Sequence, residues 1–124
     1  MYILTVEDSF ASAHQLRGYS GKCENLHGHN WKVVASVKGN ALNETGLLVD
    51  FGELKKILRS IIGELDHCNL NEHPAFMSAN PSSENIAAHI ARRLDKELVS
   101  LPGPVVLESL TVWESDTSRC RYIP

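Results

Sequence analysis

Between Cys23 and His29 the chain reads CENLHGH, which places a thiol, a carboxylate and two imidazoles within seven residues. A thiol beside a cation loses its proton readily and becomes a usable base or nucleophile. His27 and His29 are two apart, so on a strand they leave the same face, about 6.6 Å apart at about 3.3 Å per residue. His14 ends a segment that alternates in the same way, and a short hairpin-like connection would bring it beside that pair. Three imidazoles on one surface suit Zn2+ at about 2.0–2.1 Å and leave a fourth position for water or substrate, which suggests catalysis. The alternative is that His14 is a hydrogen-bonded core histidine and HGH a turn.

Other residues add to this group only by pattern. Cys23 lies four residues before His27, in a loop that must fold back over the histidine pair; a lone cysteine is otherwise a small buried hydrophobe, and Cys68 and Cys120 are read that way. Glu24, taken alone, is a solvated loop carboxylate. Asp66 and His67 follow a helical pattern directly, where a carboxylate can orient an imidazole for proton transfer or where both simply compensate the helix end. Glu114 falls in register with Val106, Leu110 and Val112 on a face that should be apolar, so its carboxylate needs a partner. That partner is either an internal arginine or a ligand presenting two N–H donors side by side, as the amino-pyrimidine edge of a pterin or guanine does.

The elements that must position these groups follow from periodicity. Residues 2–14 and 27–38 alternate with period two and read as paired strands. Asp50 with Glu53 forms a capping pattern ahead of Leu54, Ile57, Leu58, Ile61, Ile62 and Leu65, which predicts a helix over 51–65. Ser82 or Ser83 caps a second helix that turns Ile86, Ala87, Ile90, Ala91, Leu94 and Leu98 inward. Pro102, Gly103 and Pro104 end it, residues 105–114 form a third long strand, and CRYIP forms a short fourth; residues 66–81 show no clear period. Strands at both ends with two helices between them predict an α+β fold, an antiparallel four-stranded sheet with both helices on one face.

Composition narrows the function classes. With 124 residues, 43% of them hydrophobic, the chain suits one domain over 1–124. A net charge of −3 and a pI near 6.0 provide no basic field for nucleic acid or anionic lipid. No apolar run approaches the ~20 residues of a membrane span, and MYILTVEDSF carries acids where a signal peptide is basic; the chain reads as cytoplasmic. Three cysteines without paired spacing fit reduced thiols rather than a disulfide framework.

In order, FASAH ending at His14, C-x3-HGH from Cys23, GLLVDFGELK, LDHCNLN, NPSSEN and WES resemble the 6-pyruvoyltetrahydropterin and 6-carboxytetrahydropterin synthase family over nearly the whole chain. The resemblance implies a tunnelling fold in which the sheets of several subunits join into a barrel, usually a homohexamer built as a dimer of trimers, with active sites between neighbours. It further implies Zn2+ on His14, His27 and His29, a catalytic thiol at Cys23, a proton relay at Asp66 and His67, and Glu114 anchoring the pterin of 7,8-dihydroneopterin triphosphate. The three-residue gap after the cysteine resembles the carboxypterin synthases of queuosine biosynthesis, whereas animal pyruvoyl synthases have C-x5-HGH. Glu24 also satisfies E-x2-HGH, the pattern of a branch that cleaves the same substrate to 6-hydroxymethyl-7,8-dihydropterin for folate synthesis. A zinc- or pterin-binding module without catalysis would need the histidines and Glu114 but not Cys23, Asp66 and His67, so their joint presence favours an enzyme.

Overall fold

The apolar–polar alternation of the first forty residues becomes two long strands, β1 (Tyr2–His14) and β2 (His27–Gly39), paired antiparallel with Phe10 opposite Trp31 and His14 opposite His27. The computed structural model describes residues 1–18 and 25–124, so the expectations for Cys23 and Glu24 lie outside the described residues. On one face of the pair Val6, Phe10, Trp31, Val33, Ala35 and Val37 are buried. β4 (Val106–Ser115) pairs with β2, and β5 (Ser118–Tyr122) closes the far side of the sheet.

Two helices cover the apolar face. α1 (Phe51–Ile62) begins where the Asp50 carboxylate accepts from the Glu53 backbone N–H at 3.1 Å, and α2 (Ser83–Leu98) begins where the Ser82 hydroxyl accepts from Asn85 N–H at 3.2 Å. Each such cap contributes about 1 kcal/mol, which is less than the burial of one helix side chain such as Leu54, Leu58, Ile90 or Leu94, worth about 1.5–3 kcal/mol. Tertiary burial therefore decides that these segments are helical. α1 lies against β1, α2 against β4 and β5, and the two helices touch each other.

Three expectations need correction. The sheet has five strands, in the order β3-β1-β2-β4-β5, because Cys68–Asn69 forms a short β3 that runs parallel to β1 opposite Ser12 and Ala13; two residues are too few to show a period. α1 stops at Ile62 and the chain tightens into a 3-10 turn over Gly63–Leu65, although Leu65 remains buried as the periodicity required. Val106 does not share a face with Leu110, Val112 and Glu114. A register shift pairs Ser36 with Ser109 but Val37 with Leu107, so Glu108 is an extra residue and Val106, 53% exposed, points away from the core.

The opposite face of the sheet is uncovered by either helix and carries Thr5, Glu7, Lys32 and Trp113. Lys32 lies 3.5 Å from Glu7, and Lys32 and Arg119 both sit over the Trp113 ring, at 5.2 and 4.5 Å. No helix among the described residues is long and apolar enough to cross a membrane.

At the end of β2 remote from His27, Gly39 is hemmed in: an added Cβ would meet Leu48 Cδ1 at 2.6 Å and the Pro104 carbonyl oxygen at 3.0 Å. The Leu48 side chain can yield and the Pro104 backbone cannot. Gly39→Ala is expected to cost about 1–3 kcal/mol of folding stability by urea titration and to leave the histidine cluster at the other end of the strand unaltered.

Candidate metal and pterin site

Antiparallel pairing of His14 with His27 and of Ser12 with His29 sets three imidazoles at one end of the sheet, on the face that elsewhere holds the core. Glu114 reaches the same place from β4, two residues beyond Val112. One ligand atom from each of His14, His27, His29 and Glu114 lies within 4.8 Å of all the others. His14 Nε2 is 3.1 Å from His27 Nε2 and 3.3 Å from Glu114 Oε1, and His29 Nε2 is 3.5 Å from the same oxygen.

The hydrogen bonds on the far sides of the rings decide what these nitrogens offer. His14 Nδ1–H donates to the Pro81 carbonyl and His27 Nδ1–H to the Asn25 carbonyl, both at 2.7 Å. With the Nδ1 protons so used, the neutral form of each ring presents an Nε2 lone pair, and two such lone pairs 3.1 Å apart repel unless a cation lies between them. His29 Nε2 is buried and has no hydrogen-bond partner among the described residues. Ligands of a tetrahedral Zn2+ at about 2.0–2.1 Å sit about 3.4 Å from one another, close to the separations seen here. The donor set therefore fits a bound metal ion, with His14, His27 and His29 as the nitrogen ligands.

Burial pushes the pKa of His14 down; the Pro81 carbonyl opposes it, nearby His27 adds to the lowering, and the Glu114 carboxylate opposes it. His29 is likewise pushed down by burial, against the pull of Glu114. Trp31 packs beneath the group, with its ring edge-on to His14 at 4.9 Å and to His29 at 5.1 Å and its indole N–H donating to Ser12 O at 3.2 Å. The alternation of residues 27–38 puts Trp31 on the same face as His27 and His29 and no more, and nothing in the spacing marked Asn25 or Pro81; the sole signal for Pro81 is its place in the NPSSEN stretch.

Asp66 and His67 are not among the four converging groups. The Asp66 carboxylate accepts from Ala11 N–H at 2.9 Å and from Arg59 at 3.0 Å, and the Ala11 N–H is the largest cause of its lowered pKa. His67 has φ +53°, its side chain is 83% exposed, and its Nε2 lies 3.7 Å from Asp66 Oδ2. The two side chains thus face each other at the edge of β1, outside hydrogen-bond length. Arg17 turns its guanidinium to the carbonyls of Phe76 and Ala79. Arg119 lies over Trp113, and Arg121 Nε donates to Thr111 Oγ1 at 3.3 Å.

Residues 3–124 match the family described as 6-pyruvoyl tetrahydropterin synthase. A Synechocystis protein named 6-carboxy-5,6,7,8-tetrahydropterin synthase is 39% identical over 127 aligned positions, covering 98% of this chain and 93% of its own. A Pyrococcus furiosus protein named dihydroneopterin monophosphate aldolase is 38% identical, covering 87% and 85%. The structure of Caenorhabditis elegans 6-pyruvoyl tetrahydropterin synthase superposes with a TM-score of 0.82 at 31% identity, covering 100% of this chain and 97% of that one.

The lowered pKa values carry a sign. Below the ordinary histidine value of 6.5, His14 and His29 hold fewer protons folded than unfolded, so their neutral state supports the fold fully above that pH and the support is lost as pH falls further. Protons compete with metal for the same Nε2 atoms. Zinc affinity, measured by competition with a chromophoric chelator, is expected to fall as pH drops through the lowered His14 and His29 values, a window that lies below 6.5, while the melting temperature of the metal-free protein starts to fall at 6.5 itself. Affinity that stays level across that window would contradict this reading of the site.

Proposed function

The chain belongs to the 6-pyruvoyl tetrahydropterin synthase family, and from that premise we propose that it is a zinc-dependent 6-carboxy-5,6,7,8-tetrahydropterin synthase. In this reading it converts 7,8-dihydroneopterin triphosphate to 6-carboxytetrahydropterin, acetaldehyde and triphosphate, a step of queuosine biosynthesis. The observation that carries the proposal is the convergence of three imidazole nitrogens and one carboxylate within 4.8 Å. The C-x3-HGH spacing from Cys23 and the name of the Synechocystis relative support this branch.

When bound, Zn2+ supplies a Lewis acid that acidifies the hydroxyls of the substrate side chain. The remaining work falls to the chain. The Pro81 and Asn25 carbonyls hold the His14 and His27 rings with Nε2 forward. Glu114, 30% exposed, offers carboxylate acceptors to the amino-pyrimidine edge of the pterin. Cys23 as thiolate moves a proton at the side-chain carbon next to the ring, and His67, with Asp66 beside it, serves as the second proton carrier.

Because His67 is exposed at the sheet edge while the histidine cluster faces the core side, we infer that a working site draws these groups from different copies of the chain. Two edges support such an assembly. Beyond the span of β3, β1 from Tyr2 to Asp8 has no strand on its outer side among the described residues, and β5 is the last strand on the other side. Pairing unlike edges between copies closes a ring and leaves no edge open. The edges call for a closed ring, and the family resemblance implies that it is a homohexamer of two trimers, checked by sedimentation of the active enzyme; an active monomer would contradict it.

A second reading has its own support. Glu24 with His27 and His29 satisfies E-x2-HGH, and the Pyrococcus furiosus relative is named an aldolase, so a carboxylate base would direct the same substrate to 6-hydroxymethyl-7,8-dihydropterin. Mass analysis of products from dihydroneopterin triphosphate separates the two. The carboxypterin product is expected to dominate, to vanish in Cys23→Ala and to persist in Glu24→Gln. Carboxypterin formation that survives Cys23→Ala would overturn the role of the thiol, and hydroxymethyl product as the major species would favour the aldol route.

A further inference from the structure

Along the outer edge of β1 every second residue from Ser9 to Arg17 has backbone groups engaged, but the kind of partner changes. Ser9 O accepts from Arg59 at 3.0 Å. Ala11 N–H donates to the Asp66 carboxylate and Ala11 O accepts from His67 N–H, at 2.9 and 2.6 Å. Ala13 stands opposite Asn69 of β3. Past the end of the strand, Gln15 N–H donates to Asn71 Oδ1 while Asn71 Nδ2 donates back to Gln15 O, both at 2.8 Å. Arg17 repeats the pattern, with its N–H donating to Asn80 Oδ1 at 2.8 Å and its carbonyl accepting from Asn80 Nδ2 at 2.9 Å. A primary amide has the acceptor and donor of a peptide group, so two asparagines replace the missing strand.

Asn80 is the more consequential of the two. Its own carbonyl accepts from Asn85 Nδ2 at 2.8 Å, which ties it to the first turn of α2. The next residue is Pro81, whose carbonyl accepts from His14 Nδ1 at 2.7 Å. The clamp on Arg17, three residues past His14, and the contact on His14 itself are thus made by consecutive residues. Arg17 fastens the segment further through its guanidinium on the Phe76 and Ala79 carbonyls.

We propose that Asn80 is a positioning residue for the metal-binding group: by clamping Arg17 it holds the Pro81 carbonyl against His14 Nδ1 and so keeps the Nε2 lone pair of His14 aimed at His27, His29 and Glu114. This rests on the reading of the three imidazoles as a metal site, but the tautomer of His14 is measurable without metal. A loop asparagine that merely stiffens its segment would lower stability and leave both tautomer and metal affinity alone.

The test uses the full-length protein in its native assembly, with Asn80→Ala, Asn80→Asp and a remote control. Asn43 serves as control because its side chain accepts from Thr45 N–H, Thr45 Oγ1–H and Leu47 N–H at 2.9, 2.8 and 3.0 Å, a comparable loop staple outside the site. Zinc affinity is read by chelator competition, and the His14 tautomer by long-range 15N correlation in the metal-free protein. Asn80→Ala is expected to weaken zinc binding about 10- to 100-fold, the usual cost of losing support behind a metal ligand, and to replace the single Nδ1–H form by a mixture. Asn43→Ala should lower the melting temperature and change neither readout. Asn80→Asp keeps the acceptor for Arg17 N–H and should fall between the parent and Asn80→Ala; if Asn80→Ala does not fold, this variant carries the test. Parental zinc affinity and tautomer in a folded Asn80 variant would overturn the proposal, as would an equal loss of zinc in Asn43→Ala. If the parent binds no zinc, the metal reading fails and the tautomer alone decides the role of Asn80.

Discussion

The register between β1 and β2 is the constraint on which the site depends. Side chains alternate across a sheet, so slipping β2 by one residue would turn His27 and His29 to the uncovered face and carry Trp31, Val33, Ala35 and Val37 out of the core with them. Each of those four is fully buried, and exposing a single one of the larger ones forfeits about 1.5–3 kcal/mol. Phe10 stacked on Trp31, with ring centroids 6.0 Å apart, sits one step from the histidines and holds the register locally. The histidines do not pair the strands. Apolar packing does so, and brings together three imidazoles that would otherwise gain nothing from proximity.

That division of labour explains the electrostatics. Burial and mutual repulsion both disfavour protonated rings, and Glu114 only partly offsets them. A cluster in which burial disfavours the charged forms of His14 and His29, with the Nε2 atoms of His14 and His27 facing each other at 3.1 Å, is under-satisfied as a hydrogen-bonded group and well suited as a ligand set. Asp66 has the opposite character, since a backbone N–H and Arg59 keep its charge in place. His67 therefore shares its carboxylate neighbour with a guanidinium.

Much of this was legible in the sequence where a period exists. The strands carrying His14, His27 and His29, both helix caps and the inward helix residues were all marked by alternation, capping residues or helical spacing. What the sequence hid is structure made by single contacts. β3 is two residues long, the shift at Glu108 that moves Val106 to the outer face leaves no compositional trace, and the amides of Asn71 and Asn80 act as strand partners only because distant segments meet them. Glu114 was marked as a carboxylate needing a partner, but spacing could not show that the nearest partners are imidazoles of β1 and β2.

The amide clamps at Gln15 and Arg17, together with the His27–Asn25 contact, make the two ends of the intervening stretch independent of what lies between them. A chain closed at fixed ends changes its closure entropy only slowly with length. His14 and His27 are thus held by contacts that the described residues make on either side of 19–24. Scaffold and connecting stretch are in this sense separable: the sheet register and the histidine cluster are fixed by contacts that residues 19–24 do not make.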